Sequence, residues 1–244
     1  MEEINYLCNG ALGDFLLLLY VINDNYKTTG KKGNIFIGMK FFTFKGVYED
    51  IEFFVKSQQY VNLFEKYTNQ HIDINLDTWR KSHLLRKENI LSILSNHYNI
   101  KEPLNFTPWL ECGYDEKYSD MIIINRSVRR HTNSFPWNII TSKNKCFFLS
   151  FEINDYENFP CKNNVELLHI KTFDEMSTII NSCKFFVGNQ SAQSVLAYIL
   201  KKPCFIELYG ADASQSIGLE KYNDFSWMFK EEKRIGKNFF LNLK

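Results

Sequence analysis

A chain of 244 residues is long enough for one large domain or two small ones. With 45% hydrophobic and 16% aromatic residues against 23% charged, it has the material for a sizeable core, which excludes a long disordered stretch. Its 29 basic and 28 acidic side chains leave a formal net charge of +1, so any recognition of an anion is local, unlike the global charge of a general nucleic-acid binder.

Residues 4–8 form a short apolar run, the stretch from Gly10 to Gly13 breaks it, and residues 14–22 continue as a helix. The apolar run 15–22 is too short to span a bilayer. Glu2 and Glu3 stand before it, where a leader peptide carries positive charge, so the expectation is a soluble, cytoplasmic protein with no membrane span. Strands are expected at 34–37 and 51–55. A helix is expected at 58–67, where Val61, Phe64 and Tyr67 recur at helical spacing, and another at 86–97. Residues 101–120 break every periodicity through Pro103, Pro108 and Gly113. The expected organisation is an N-terminal lobe over 1–105, a connector over 106–120 and a C-terminal lobe over 121–244.

The second half is clearer. Residues 121–125, 146–151 and 165–170 are continuous apolar runs, as in a parallel sheet covered on both faces. A helix over 173–183, a strand over 185–187, a turn over 188–191, a helix over 192–200 and a strand over 204–206 follow. Strands alternating with helices predict an α/β protein with doubly wound parallel sheets and helices on both faces. The six cysteines form no C-x-x-C pair and read as buried, reduced thiols, so neither zinc nor another metal is expected.

Four constellations carry chemistry. The first is Gly10-Ala11-Leu12-Gly13-Asp14, between a strand and a helix. Glycines there let a ligand approach the backbone at a helix N-terminus. Asp14 would repel a phosphate at that spot, which suits a general base better, although the same residue could simply cap the helix. The second is Asn125-Arg126-Ser127-Val128-Arg129-Arg130-His131, just beyond a strand, where ligands of open α/β sheets sit. Arg126, Arg129 and Arg130 can hold a diphosphate through charge-assisted hydrogen bonds, with Ser127 among them, or form an ordinary solvated loop. The third is Gly188-Asn189-Gln190-Ser191, a second strand-to-helix turn with an anion-binding helix start or a plain cap at Ser191. The fourth is Glu207, after the last of these strands, placed to accept from ribose hydroxyls or to sit on the surface. His131 is the only histidine near a candidate site, and a lone histidine is more often structural. The sequence contains no G-x-S-x-G, P-loop, H-E-x-x-H or D-x-D motif.

In order, these motifs resemble a known family. Gly10-Ala11-Leu12-Gly13-Asp14 resembles the N-terminal G-x-x-G-D turn of the lipopolysaccharide heptosyltransferases, which are GT-B enzymes. Lys171-Thr172 and the helix through Met176 and Ile179 resemble their G-K-T-S-L segment. Phe186 to Ser191, with Ala197 and Lys202-Pro203, resembles their D-S-G, H-L-A and K-P segment. Asn125-Arg126-Ser127 and Pro108-Trp109-Leu110 look more like small phage-encoded relatives, whose place is the host cytoplasm. Gln190, Ala192 and Val195 depart from the family's aspartate, glycine and histidine. They remove a charge and a donor beside the expected leaving group.

The resemblance implies two Rossmann-like lobes of the GT-B kind. It implies an inverting, metal-independent glycosyltransferase that needs no cofactor beyond a nucleotide-sugar donor. Asp14 would be the base toward an acceptor hydroxyl of unknown identity. Gly13, Arg126, Ser127, Arg129, Arg130, Lys171, Thr172, Gly188, Asn189, Gln190, Ser191 and Glu207 would hold the donor. Two alternatives stand beside it. One is a non-catalytic nucleotide-sugar binder that kept the fold. The other is a transferase acting on a modified nucleobase, for which Lys27, Lys31, Lys32, Arg80, Lys81, Arg86 and Lys87 would supply a basic groove.

Overall fold

The computed structural model describes residues 3–38, 47–85, 87–101, 107–132, 135–208 and 226–229, with backbone alone for 47–48 and 226–229. Arg86 lies outside the described residues. The chain divides into two compact units. One holds the described residues through Glu111 with Thr172–Asp174, and the other holds Cys112–Lys171 with the described residues from Glu175 onward.

The first unit runs β1 (Ile4–Cys8), α1 (Leu12–Thr29), β2 (Gly33–Ile37), α2 (Val47–Lys56), β3 (Val61–Lys66), β4 (Ile74–Asn75), a 3₁₀ turn (Thr78–Lys81) and α3 (Ile90–Tyr98). Its four strands are parallel in the order β3-β2-β1-β4. The continuous apolar stretch from Phe15 to Ile22 puts the middle of α1 into the core, while Lys27 to Thr29 at its end are exposed. Gly30, at φ 73°, closes that helix by returning its N–H to the Tyr26 carbonyl at 2.8 Å. Trp109 is buried against Tyr20 and donates its ring N–H to the Leu16 carbonyl at 3.0 Å, which ties the segment around it to α1.

Two expected elements exchange identity here. Residues 51–55 are helical, because Ile51, Phe54 and Val55 are buried while Phe53 is 74% exposed; the period is that of a helix. The region 58–67 instead holds strand β3. Its helix-like spacing of Val61 and Phe64 comes from a bulge: the register passes from Gly33↔Val61 to Asn34↔Leu63, skipping Asn62. One extra residue changes the alternation and brings Val61 and Phe64 inward together. The expected helix at 86–97 begins later, at Ile90, where Asn89 accepts the Ser92 N–H at 2.9 Å as its cap.

The second unit contains β5 (Ile122–Asn125), α4 (Trp137–Lys143), β6 (Cys146–Ser150), α5 (Ile153–Glu157), β7 (Val165–His169), α6 (Phe173–Ser182), β8 (Phe185–Asn189), α7 (Ala192–Ile199), β9 (Cys204–Glu207) and β10 (Ser226–Phe229). All six strands are parallel in the order β10-β9-β8-β5-β6-β7. Counted from β5, this is the doubly wound order, with its reversal between β5 and β8. Strands β5 and β6 bury both faces, as expected, whereas β7, at the sheet edge, leaves Glu166 and His169 exposed. Ile122, Ile124, Phe148 and Val187 meet Phe135, Trp137 and Phe159 in one core cluster. Helices α4 and α5 and strands β4 and β10 were not anticipated. The two helices have only seven and five residues, too short for a 3.6-residue period to show. The α/β class with parallel sheets is as read from the sequence. All six cysteines are free, and five are buried.

Candidate functional site

Open α/β sheets bind ligands beyond the strand ends where the strand order reverses. In the second unit that is the junction of β5 and β8, with Asn125 in register beside Gly188 and, one strand on, Asn189 beside Glu207. Gly188 is required by close packing: a Cβ there would lie 2.9 Å from the Asn125 carbonyl and 2.8 Å from the Phe186 ring.

Buried polar side chains then shape the loop from Arg126 to Thr132. Asn189, fully buried, accepts the Ser127 N–H at 3.0 Å. Its amide donates to the carbonyls of Ser127 at 2.9 Å, Arg129 at 2.6 Å and Arg130 at 3.3 Å. Its own carbonyl accepts from the Ser194 hydroxyl. Asp155, at the head of α5, accepts the Val128 N–H at 3.1 Å and the Ser150 hydroxyl at 3.0 Å. Asn125 donates to the Leu149 carbonyl at 2.8 Å and accepts from Ser191 at 2.9 Å, while Ser191 caps α7 by accepting the Ser194 N–H. Arg130 is held at φ 54°, a left-handed conformation unfavourable for a side chain with a Cβ.

Glu207 belongs to this scaffold. It is 0% exposed, one oxygen accepts the Thr132 N–H, and the other accepts from Arg126 Nε at 3.4 Å. Burial pushes its pKa above the ordinary value, against the pull of Thr132 and Arg126. The carboxylate expected to meet a ribose therefore faces inward, with both oxygens engaged by the loop. Arg129 and Arg130 are exposed, and among the described residues neither is in an ion pair. Gln190 is half-buried in the turn between Asn189 and Ser191. Lys171 follows β7, the edge strand that β6 separates from β5, and its N–H donates to Glu175 at 2.8 Å. Thr172, exposed, is counted with the first unit. A cavity of about 220 Å³ opens beside the loop, lined by Arg126, Val128, His131, Asp155 and Asn158.

In the first unit the reversal lies between β1 and β4. Asp77, beyond β4, accepts the Asn9 N–H at 3.0 Å. Arg80, in the following turn, reaches back over the glycine turn: Nη2 donates to Asp14 at 2.6 Å and Nη1 to Asp77 at 3.1 Å. Its guanidinium also lies 4.6 Å from the Trp79 ring. Gly10 has φ 141°, and a Cβ on it would lie 2.6 Å from Arg80 Nη2, so the arginine occupies the space that glycine leaves. Ala11 is the N-cap of α1 and gives no side-chain cap, while Gly13 and Asp14 lie inside the first turn. Asp14 does not cap the helix; its carboxylate, about a third exposed, is committed to Arg80. Sequence reasoning placed Arg80 in a basic groove for a nucleobase acceptor, whereas its guanidinium is committed to Asp14 and Asp77. The Asp14–Arg80 pair is 66 residues apart, and only the β1–β4 adjacency could have revealed it.

No family model and no curated protein matches this chain. Among solved structures it is similar to the Escherichia coli heptosyltransferase WaaC with ADP-2-deoxy-2-fluoro heptose, at TM-score 0.58 and 10% identity over 94% of this chain and 93% of that one. It is also similar to a family 9 glycosyl transferase from Veillonella parvula, at TM-score 0.56 and 12% identity over 93% of this chain and 85% of that one. The iron-containing dodecameric glycosyltransferase TibC from enterotoxigenic E. coli matches at TM-score 0.60 and 12% identity, over 98% of this chain and 73% of that one. At such identities the likeness is one of fold: the chain has the α/β fold of the heptosyltransferases and other GT-B glycosyltransferases, built here from two parallel-sheet units.

Proposed function

We propose that the chain is a glycosyltransferase that takes a nucleotide-sugar at the β5–β8 junction and transfers the sugar, with inversion and without a metal, to a hydroxyl acceptor. The observation that carries this reading is the arginine loop at the junction. Its backbone is fixed by Asn189, Asp155 and Glu207, while Arg129 and Arg130 remain exposed and outside any ion pair among the described residues. Preorganised cations at a strand-order reversal suit a diphosphate, whose negative charge grows as it leaves. The fold supports the same reading, since WaaC has been solved with ADP and with a fluorinated ADP-heptose.

In this reading Asp14 is the general base. It takes the proton of the acceptor hydroxyl, the freed oxygen bonds to the anomeric carbon, and the bond from that carbon to the diphosphate breaks from the opposite face. Arg129 and Arg130 receive the departing charge, while Arg126 is held on Glu207. Arg80 fixes the carboxylate of Asp14. No helix among the described residues is long and apolar enough to cross a membrane.

The test is a thermal-shift panel of ADP, UDP, GDP and CDP followed by turnover of the matching nucleotide-sugars. A nucleotide at about a hundred times its dissociation constant adds about 2.7 kcal/mol of stability. Asp14→Asn should lower transfer by about 10²–10⁴-fold and leave nucleotide affinity unchanged. No shift with any of the four overturns the reading. Binding with no turnover of any nucleotide-sugar would identify a binder that kept the fold. Salt-sensitive DNA binding would point instead to a nucleic-acid acceptor.

A further inference from the structure

Over the glycine turn of the first unit, charged side chains form a line whose last oxygen is left over. One oxygen of Asp77 accepts the Asn9 N–H at 3.0 Å and Arg80 Nη1 at 3.1 Å. The same nitrogen lies 3.4 Å from the Asn9 carbonyl, and Nη2 donates to Asp14 Oδ2 at 2.6 Å. Asp14 Oδ1 has no hydrogen bond among the described residues.

Arg80 is itself anchored from several sides. Its guanidinium lies 4.6 Å from the ring of Trp79, which is buried. The turn that carries it is fastened to β4 and α3. The Asp77 N–H donates to the Asn75 side chain at 2.9 Å. The Thr78 hydroxyl donates to the Asn75 carbonyl at 2.9 Å and meets His97 at 2.8 Å. Gly10 leaves the space that the guanidinium fills. Asp14 is thus held at both ends, by the first turn of α1 at its backbone and by Arg80 at one carboxylate oxygen.

The geometry needs an arginine. A planar guanidinium offers several N–H groups in a fixed fork, and here one nitrogen goes to each carboxylate. A lysine keeps the charge on one nitrogen and loses the fork. Ion pairs this exposed contribute little to stability, and the Asp14 carboxylate is about a third exposed. What the bridge contributes is position. A reacting group misplaced by about 1 Å loses up to about 10²-fold in rate.

We propose that Arg80, backed by Asp77, is the positioning residue of Asp14: it occupies Oδ2 and so leaves Oδ1 as the oxygen that takes the acceptor proton. This rests on the reading of Asp14 as general base. It deepens that reading by naming the oxygen and by giving Asp77 a share in the reaction through Arg80 alone.

The experiment is a double-mutant cycle, read as release of nucleoside diphosphate from the nucleotide-sugar that the wild-type chain turns over, with water as the acceptor. Arg80→Met keeps the stem beside Trp79 and removes the fork. It should lower kcat by up to about 10²-fold and leave both KM for the nucleotide-sugar and the affinity for the nucleotide unchanged. In an Asp14→Asn background the same change should cost nothing further, because no base remains to be positioned. Arg80→Lys should recover only a small part of the loss. Asp77→Asn should lower kcat less than Arg80→Met does. Urea unfolding of each variant confirms that it folds. Three results overturn the inference and leave the base reading standing: wild-type kcat in Arg80→Met, full recovery by Arg80→Lys, or an equal loss in the Asp14→Asn background. Wild-type turnover by Asp14→Asn, or no turnover by the wild type, overturns both.

Discussion

Asn189 gives the sharpest test of how the arginine loop is built. Asn189→Ala removes one accepted bond, from Ser127, and three donated ones shared by two amide protons. The 3.3 Å contact to Arg130 is the weakest, which leaves three bonds of ordinary strength. At about 1 kcal/mol net each, and with water reaching the half-buried Ser127 and the exposed Arg129, the loss is about 2–4 kcal/mol. A domain of ordinary stability survives this, at about 5–15 kcal/mol. Asn189→Asp has the same shape and should be worse. Its carboxylate still accepts from Ser127, but at neutral pH it turns an oxygen without a proton toward three carbonyls. The expected order in urea unfolding at pH 7 is wild type, then Ala, then Asp, with nucleotide affinity lost in both variants. Lowering the pH should recover part of the Asp variant's stability as its carboxyl takes up a proton. An Asp variant as stable as wild type at pH 7, or an Ala variant within about 0.5 kcal/mol of it, would show that the loop does not depend on this residue.

Three further outcomes follow from the same geometry. Glu207 keeps its proton to higher pH in the folded chain than in the unfolded one, so the folded state binds more protons in the window that opens at the ordinary value of 4.5. Stability from this residue falls as pH rises through that window and is level above it, so Glu207→Gln should flatten that part of the Tm–pH curve. Arg130→Gly should raise the melting temperature of the free protein, since relief of a left-handed side chain is worth roughly 1 kcal/mol, and weaken nucleotide binding by removing a cation; a fall in both would refute the trade-off. Gly10→Ala should destabilise by about 1–3 kcal/mol, because both its φ of 141° and the Arg80 guanidinium oppose a Cβ, and chemical denaturation measures the loss.

The sequence was most legible where one local rule governed. The central strands β5 and β8 of the second unit, buried on both faces, appear as plain apolar runs, and both junction turns follow from glycine and small polar residues at strand ends. It was least legible where two distant segments decide the outcome. The bulge against Gly33 gave β3 the spacing of a helix, and α2 showed five residues that fit a strand equally well. Arg80 met Asp14 only because β4 pairs with β1.

Glu207 shows a subtler failure, and it bears on how the site divides its labour. Sequence position placed Glu207 at the correct strand tip, but a strand tip has an inward and an outward direction. A carboxylate facing outward there would set a second negative charge beside a diphosphate. Facing inward, the same group fixes the Arg126 side chain and the Thr132 N–H, and so holds the far end of a loop that must present positive charge. Asn189 and Asp155 act in the same sense: each is buried and each binds backbone rather than ligand. In the proposed function, the residues with charge to offer a nucleotide are then the ones the scaffold leaves over, Arg129 and Arg130. Their placement is specified by neighbours on β8, β9 and α5, so changing those buried polar groups should disturb binding as severely as changing the arginines themselves.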